Sequence, residues 1–313
     1  MNTVKYCTLA SHYDQLELSV MIVQPDKKIK GVVQLLHGMA EYKERYLPFM
    51  HALADQGYIC VIHDHRGHGK SIRSKEDYGY FYDTNGEYLI EDSYQITKMM
   101  KKMYQGYPYV LFSHSMGSLI SRAYVKKYDY MLDGLIVCGS PSKQPGLSFA
   151  ILFVKMMQWF YKDHHRSKLI QHLAFGSFEK KFSSKQENAW ICSVEEEVEK
   201  YNQHEACGFI FTLNGFENLF KIMKRVYEPD HWVLRNPSMP ILFIAGKEDP
   251  CIINPSHFQK AVNFMKKVGY QNIIAKLYEG KRHELLNEDN KMEIYQDVLK
   301  WIDEQVIHHE RTR

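Results

Sequence analysis

The sequence has no long hydrophobic run and no recognisable targeting segment. None of its apolar stretches reaches the roughly 20 residues that a membrane-spanning helix needs. Residues 1–6 also lack the basic segment, followed by an apolar one, that begins a secretory signal. We therefore expect a cytoplasmic protein without a membrane-spanning segment.

The charged residues and the cysteines also give no sign of a nucleic-acid partner, a disulfide framework or a zinc site. The net charge is only +3, and the basic residues are scattered along the chain instead of forming a basic stripe. A nucleic-acid partner is therefore not expected. The six cysteines show no paired spacing of the kind that disulfide frameworks and zinc sites use, and free buried thiols are expected. Nothing in the sequence indicates an oligomeric state.

What the sequence does contain is an alternation of short apolar segments with amphipathic ones. Strands are predicted at residues 16–22 (an early edge strand), 32–36, 58–63, 109–113, 135–139, 239–246 and 272–278, and helices at 45–56, 88–104, 119–128 and near the C-terminus. This order is typical of the α/β class, with a mostly parallel central sheet flanked by helices on both faces.

The alternation stops after residue 140 and resumes at residue 237. The stretch between is rich in aromatic and charged residues at helical spacing and contains no convincing strand. A chain of 313 residues can hold one core with an insertion. We predict a core formed by residues 1–140 and 237–313, and an inserted helical cap at 141–236.

Ser115 is the candidate nucleophile. It follows the predicted strand at 109–113 and precedes a predicted helix, as in the strand-to-helix elbow G-x-S-x-G. The elbow needs very small neighbours, because the serine backbone is strained and the turn is tight. Gly117 meets this demand, and Ser113 stands where a glycine is usual.

A serine nucleophile needs a base, and the base needs an orienting acid. Asp249 and His283 each follow a later predicted strand, in the order Ser, Asp, His that this elbow accompanies. Each residue alone is more often a turn, cap or surface residue, but their joint placement favours a triad. The neighbouring Glu248 stays open as an alternative to Asp249.

The loop after the strand at 32–36 is the candidate oxyanion hole. It reads His37-Gly38-Met39-Ala40-Glu41. The backbone N–H groups of Met39 and Met116 are the predicted donors to the oxyanion. Gly38 lets the backbone approach the reacting group closely.

Together these motifs resemble the monoacylglycerol lipase and lysophospholipase group of the α/β-hydrolases. The resemblance covers nearly the whole chain and rests on the segments 37–41, 64–71, 113–117, 188–190 and 207–212 with Asp249 and His283. It implies a serine esterase with an inserted cap and no cofactor or metal. It also implies that Glu41 and Arg45 shape the polar end of the substrate pocket, where we place His114 as well. A Glu/Arg pair four residues apart is otherwise a common ion pair.

The predicted reaction is hydrolysis of a single-chain lipid ester, a monoacylglycerol or a lysophospholipid. Residues 146–161 are nearly apolar all round, so this predicted cap helix is expected to line an acyl path or to touch a membrane surface transiently. The alternative is simple packing. Other functions left open are an aminopeptidase, a short-chain or aryl esterase, and a ligand receptor with this fold.

Three further motifs are interpreted as structural. Gly69-Lys70-Ser71 resembles the end of a phosphate-binding loop, but Asp64 occupies the position of its first glycine. His63, His65 and His68 have metallohydrolase spacing without the aspartate that the signature requires at residue 67. Glu195, Glu196 and Glu197, which would suit a peptide amino terminus, are more typical of a solvated helix face.

Overall fold

The computed structural model describes residues 1–182 and 186–307. Its strands are β1 (Thr3–Ala10), β2 (Glu17–Gln24), β3 (Gly31–Leu36), β4 (Tyr58–His63), β5 (Tyr109–His114), β6 (Gly134–Cys138), β7 (Ile241–Gly246) and β8 (Ile273–Tyr278). Its helices are α1 (Leu47–Ala54), α2 (Glu87–Met103), α3 (Met116–Tyr128), α4 (Leu147–Tyr161), α5 (Lys168–Glu179), α6 (Glu195–Gln203), α7 (Leu213–Val226), α8 (Pro255–Lys267) and α9 (Lys291–Ile302).

The strands form one eight-stranded sheet in the order β1-β2-β4-β3-β5-β6-β7-β8. β2 pairs antiparallel with both of its neighbours, and the remaining pairs are parallel. The predicted α/β class is therefore confirmed.

Helices cover both faces of the sheet, which explains the continuous apolar strands. In β5, Tyr109 and Leu111 belong to the core under α2, α3 and α8, whereas Val110 and Phe112 belong to the core under α1 and α9. Successive side chains of a strand point to opposite faces. A strand that is covered on both sides can therefore carry apolar residues at successive positions.

The prediction of an edge strand at residues 16–22 is wrong. β2 lies inside the sheet, and six of its eight residues are buried. The edge strand next to it is β1, which we did not predict because most of its side chains are exposed and show no regular apolar alternation. The helix predicted at 45–56 is also shorter, because residues 43–46 form a 3₁₀ turn before α1.

Four helices, α4 to α7, lie between β6 and β7, and the described residues of this stretch contain no strand. We call residues 141–236 the β6–β7 insertion. Its helices α4 and α7 pack on each other, and α7 packs on α3 of the core. The loops after β3, β5, β7 and β8 open onto a cavity that the insertion covers. Of the helices in the described ranges, none has the length and apolar character needed to cross a membrane.

Candidate active site

Ser115 occupies a sharp turn between β5 and α3. Its backbone angles are φ 51° and ψ −118°, a strained combination for a non-glycine residue. Its N–H donates to the carbonyl oxygen of Cys138 at 3.0 Å, which fixes the turn against β6. At Gly117 a Cβ atom would lie 2.3 Å from the carbonyl oxygen of Leu36, so only glycine fits there.

The serine at position 113 is accommodated by hydrogen bonds inside the core. Its Oγ lies 2.7 Å from the Oγ of Ser121 on α3 and donates to the carbonyl oxygen of Ile136 on β6 at 2.9 Å. A buried hydroxyl with partners costs little, whereas one without partners would destabilise the fold. The departure from glycine therefore leaves the elbow intact.

The three predicted triad residues lie together. The Nε2 of His283 is 2.8 Å from the Oγ of Ser115, and its Nδ1 is 2.9 Å from Oδ2 of Asp249. The other oxygen of Asp249 accepts the N–H of Cys251 at 2.8 Å. Glu248, the alternative acid, is exposed. The arrangement allows a proton to pass from the serine to the histidine.

The electrostatics of His283 suit a base that is held by an anion. Burial alone lowers the pKa of the imidazole, but the carboxylate of Asp249 outweighs burial and holds that pKa well above its usual value. Burial also raises the pKa of the Cys251 thiol to about 11, so this neighbour is uncharged at neutral pH.

Asp249, Cys251 and His283 are the cluster of possible metal ligands in the described ranges. Their candidate ligand atoms lie within 4.8 Å of one another. These atoms are already bonded to each other and to Ser115. A metal ion would have to displace the hydrogen bonds that build the triad.

The predicted oxyanion donors line the cavity next to Ser115. Among the described residues, no hydrogen-bond acceptor faces the backbone N–H of Met39 or of Met116. The loop that carries Met39 is held by a hydrogen bond within the loop, in which Oε1 of Glu41 accepts the N–H of Gly38 at 2.5 Å. Both amides are therefore available to an oxygen that develops negative charge.

The histidine-rich stretch after β4 supports this loop. The Nε2 of His68 accepts the N–H of Ala40 at 3.2 Å, and the Nε2 of His37 accepts the N–H of His65 at 2.9 Å. These rings must be neutral to accept, and burial lowers the pKa of His68 to about 4 and that of His37 well below its usual value. The stretch therefore acts as a structural turn.

A cavity of about 470 Å³ extends from Ser115 into the β6–β7 insertion. Its wall beyond the triad is largely apolar and comes from α4, α5 and α7, with side chains of Leu147, Phe149, Ala150, Phe153, Val154, Ile170, Leu173, Ala174, Phe175, Phe178, Leu219, Phe220 and Met223. Phe149 and Leu173 line the cavity and are also 72% and 68% exposed. The cavity therefore opens to the surface between α4 and α5.

Of the three residues predicted at the polar end of the substrate pocket, two line the cavity and one does not. Glu41 and His114 line the cavity, but Arg45 is absent from its described lining. Arg45 instead binds Glu41 and, through two hydrogen bonds, Glu284. Glu284, which lines the cavity, was missed by the sequence reasoning. Its position directly after the candidate base His283 was the one available signal.

The loop of His283 is tied to the insertion on both sides. The Nη1 of Arg282 donates to the carbonyl oxygens of Ala189 and Cys192 at 2.5 and 2.9 Å. The N–H of Glu284 donates to the carbonyl oxygen of Ile191 at 2.6 Å. The ring of Trp190 lies 5.2 Å from the ring of His283, so residues 189–192 cover the base.

The sheet order and the strained strand-to-helix elbow define the class of this protein, which is an α/β-hydrolase with an esterase-like or lipase-like site. Over residues 27–290 the chain matches the family described as "Serine aminopeptidase, S33". It belongs to that family.

Known proteins agree with this assignment. The chain is 23% identical over 282 residues to the monoacylglycerol lipase of Mycolicibacterium smegmatis. This match covers 89% of this chain and 90% of that protein. It is 25% identical over 116 residues to the probable lysophospholipase L2 of Haemophilus influenzae, and here the match spans 37% of this chain and only 36% of the relative. A solved carboxyl esterase from Bacillus coagulans, in complex with glycerol, superposes with a TM-score of 0.89 at 25% identity and covers 97% of this chain and 99% of that one. The predicted family resemblance is confirmed.

Proposed function

We propose that this protein hydrolyses the carboxylic ester of a single-chain lipid, either a monoacylglycerol or a lysophospholipid. The observation that carries the proposal is the 2.8 Å contact between Ser115 Oγ and His283 Nε2 at the base of an apolar cavity. The names of the two sequence relatives, a monoacylglycerol lipase and a probable lysophospholipase, support the same substrate class.

Catalysis proceeds in two acyl-transfer steps. His283, held by Asp249, takes the proton of Ser115 as its oxygen attacks the ester carbonyl, and the oxyanion is stabilised by the N–H groups of Met39 and Met116. His283 then gives the proton to the leaving alcohol. Water repeats the sequence on the acyl-enzyme and releases the fatty acid, so these residues need no cofactor.

In this proposal the β6–β7 insertion is a helical cap over a core formed by residues 1–140 and 237–313. Its helices supply the apolar wall, which suits an acyl chain because apolar surface gains free energy when it leaves water.

We also propose that the outer face of α4 touches the surface of a membrane or micelle transiently. This face carries large exposed side chains: Leu152, Met156, Trp159 and Phe160 are 64%, 48%, 86% and 71% exposed. By helical spacing they lie on the side of α4 that carries Phe149, which lines the cavity. An exposed apolar patch beside a lipid-sized opening is typical of interfacial binding.

The family description favours one competing function, cleavage of an amino-terminal residue from a peptide. Such an enzyme needs free carboxylates for the peptide amine. Glu195 and Glu196 are exposed on α6 and absent from the described cavity lining, and Glu41 and Glu284 are already bound by Arg45. The ester reaction is therefore preferred.

The test is a set of initial rates on p-nitrophenyl esters of increasing acyl length, with 1-monoacylglycerol and proline p-nitroanilide alongside. We expect rates that rise into medium or long chains and vanish in Ser115→Ala. Activity confined to acetyl esters or to the anilide would contradict the lipid assignment. Failure of Ser115 to react with an organophosphonate would contradict hydrolysis itself and favour a receptor.

A further inference from the structure

We propose that the head-group end of the cavity selects an uncharged alcohol such as glycerol and rejects a phosphate ester, and that Glu284 is the residue that sets this preference. The inference rests on the proposed function, because it concerns the alcohol that leaves the same active site. It narrows the two substrate classes above to one.

The charges that face the cavity carry the argument. Apart from histidine, the titratable side chains of acidic or basic residues in its described lining are two carboxyl groups, those of Glu41 and Glu284. The described lining contains no lysine and no arginine. A phosphate group that leaves water needs a counter-charge, and the described residues of this wall supply none.

Arg45 is the guanidinium that binds both carboxylates, and its donors are already engaged. Its Nη1 donates to Glu41 Oε2 at 2.6 Å and to Glu284 Oε1 at 2.7 Å, and its Nη2 donates to Glu284 Oε2 at 2.6 Å. The ring of Tyr201, which lines the cavity, lies 5.0 Å from the guanidinium carbon. Arg45 is absent from the described lining of the main cavity, and the side pocket that it lines with Glu41 and Glu284 has a volume of only about 10 Å³, too small for a phosphate group.

The cluster carries no net positive charge in either state of Glu41. Burial raises the pKa of Glu41, whereas Arg45 overcomes burial and lowers the pKa of Glu284. Glu284 alone neutralises the guanidinium, and an ionised Glu41 makes the cluster negative. A phosphate ester brings its own negative charge to this wall and is disfavoured there, whereas a glycerol head group is uncharged.

The first arm of the test uses the unaltered protein. Rates are measured on 1-lauroylglycerol, 1-lauroyl-lysophosphatidylcholine and 1-lauroyl-lysophosphatidate below their micelle concentrations, with p-nitrophenyl laurate as the reference. We expect kcat/KM for the glycerol ester to exceed that for either phosphate ester by about 100-fold, which corresponds to a difference of about 2.7 kcal/mol in transition-state free energy. A ratio below about ten overturns the inference.

The second arm uses Glu284→Gln, which keeps the shape of the side chain and removes the charge that masks Arg45. We expect the ratio of glycerol ester to lysophosphatidate to fall by about ten-fold, because the phosphate ester gains. The matched control is Glu196→Gln, which makes the same change in net charge on the exposed face of α6 and should leave the ratio unchanged.

The outcomes separate the two proposals. Hydrolysis of p-nitrophenyl laurate together with an equal preference for both head groups overturns this inference alone. Failure to hydrolyse any of these esters overturns the proposed function. If Glu284→Gln does not fold, the head-group series on the unaltered protein still decides the question.

Discussion

Asp249 sets both the orientation and the basicity of His283. A histidine acts as a base only when neutral, and the Asp249 carboxylate holds its pKa well above the usual value. We therefore expect kcat/KM to fall as the pH drops through a pKa above about 6.5. In Asp249→Asn this acid limb should move to lower pH, since the carboxylate charge is gone, and the rate should fall by about 10³- to 10⁴-fold. The measurement is the pH profile on a p-nitrophenyl ester.

The control for that profile is Glu248→Gln. Glu248 is adjacent in sequence but exposed, so its loss should change neither the rate nor the position of the acid limb. An Asp249→Asn profile with the same acid limb as the unaltered protein would show that another group sets the pKa of His283.

Single residues also show where sequence reasoning ends. Ser115, Asp249 and His283 follow predicted strands, so strand order alone indicated that they meet. The partner of Arg45 was not predictable in this way. Glu284 lies 239 residues away in sequence, and a contact over that distance depends on how the loops pack, which local pattern does not encode.

At the scale of elements, substitutions on α4 test whether the protein binds a lipid surface. Replacing Trp159 and Phe160 by serine removes two exposed aromatic side chains that are absent from the described cavity lining. We expect KM for micellar monoacylglycerol to rise by about ten-fold, which corresponds to the loss of about 1.4 kcal/mol of apolar burial at the lipid surface. The rate on monomeric p-nitrophenyl butyrate should stay unchanged.

Tyr107→Ser is the matched control for α4. Tyr107 is also exposed, but it precedes the amino end of β5, at the opposite end of that strand from Ser115. Equal effects of the two changes on micellar KM, or an equal loss on monomeric and micellar esters, would contradict a lipid-facing role for α4.

The elements of the core were predictable where burial is complete. Strands such as β3 and β5 are buried at every position, and their largely apolar runs were read correctly although β3 contains Gln34. β1 was missed because most of its side chains are exposed and its sequence shows no regular apolar pattern. Backbone hydrogen bonds to β2 hold β1 in place, and these bonds form whatever the side chains are.

For the whole molecule, buried histidines predict a steep loss of stability in acid. Burial lowers the pKa of His37, His63, His65, His68 and His114, with His63 at about 3 and His68 at about 4. Because the unfolded chain binds protons first, the free energy of unfolding should decrease as the pH falls below about 6.5. As the pH falls, each such histidine lowers the free energy of unfolding by up to about 1.4 kcal/mol per pH unit, until its pKa in the folded protein is reached.

His283 has the opposite sign, since its raised pKa makes the folded protein bind that proton first, and this gain is complete below about pH 6.5. Urea unfolding between about pH 5 and pH 7.5 measures the combined effect of all these histidines on the free energy of unfolding. His68→Gln, whose amide oxygen can still accept the N–H of Ala40, should flatten the slope by one proton. A pH-independent free energy of unfolding over this range would contradict the prediction.

The bonds on both sides of His283 give the insertion a second consequence. Arg282 and Glu284 bind carbonyl groups within residues 189–192, so these residues act as a latch on the loop that carries the base. Lifting the latch would withdraw the imidazole from Ser115 while the sheet stays folded. Arg282→Ala, which removes two of these bonds at a residue outside the described cavity lining, would then lower kcat and leave the cavity wall unchanged.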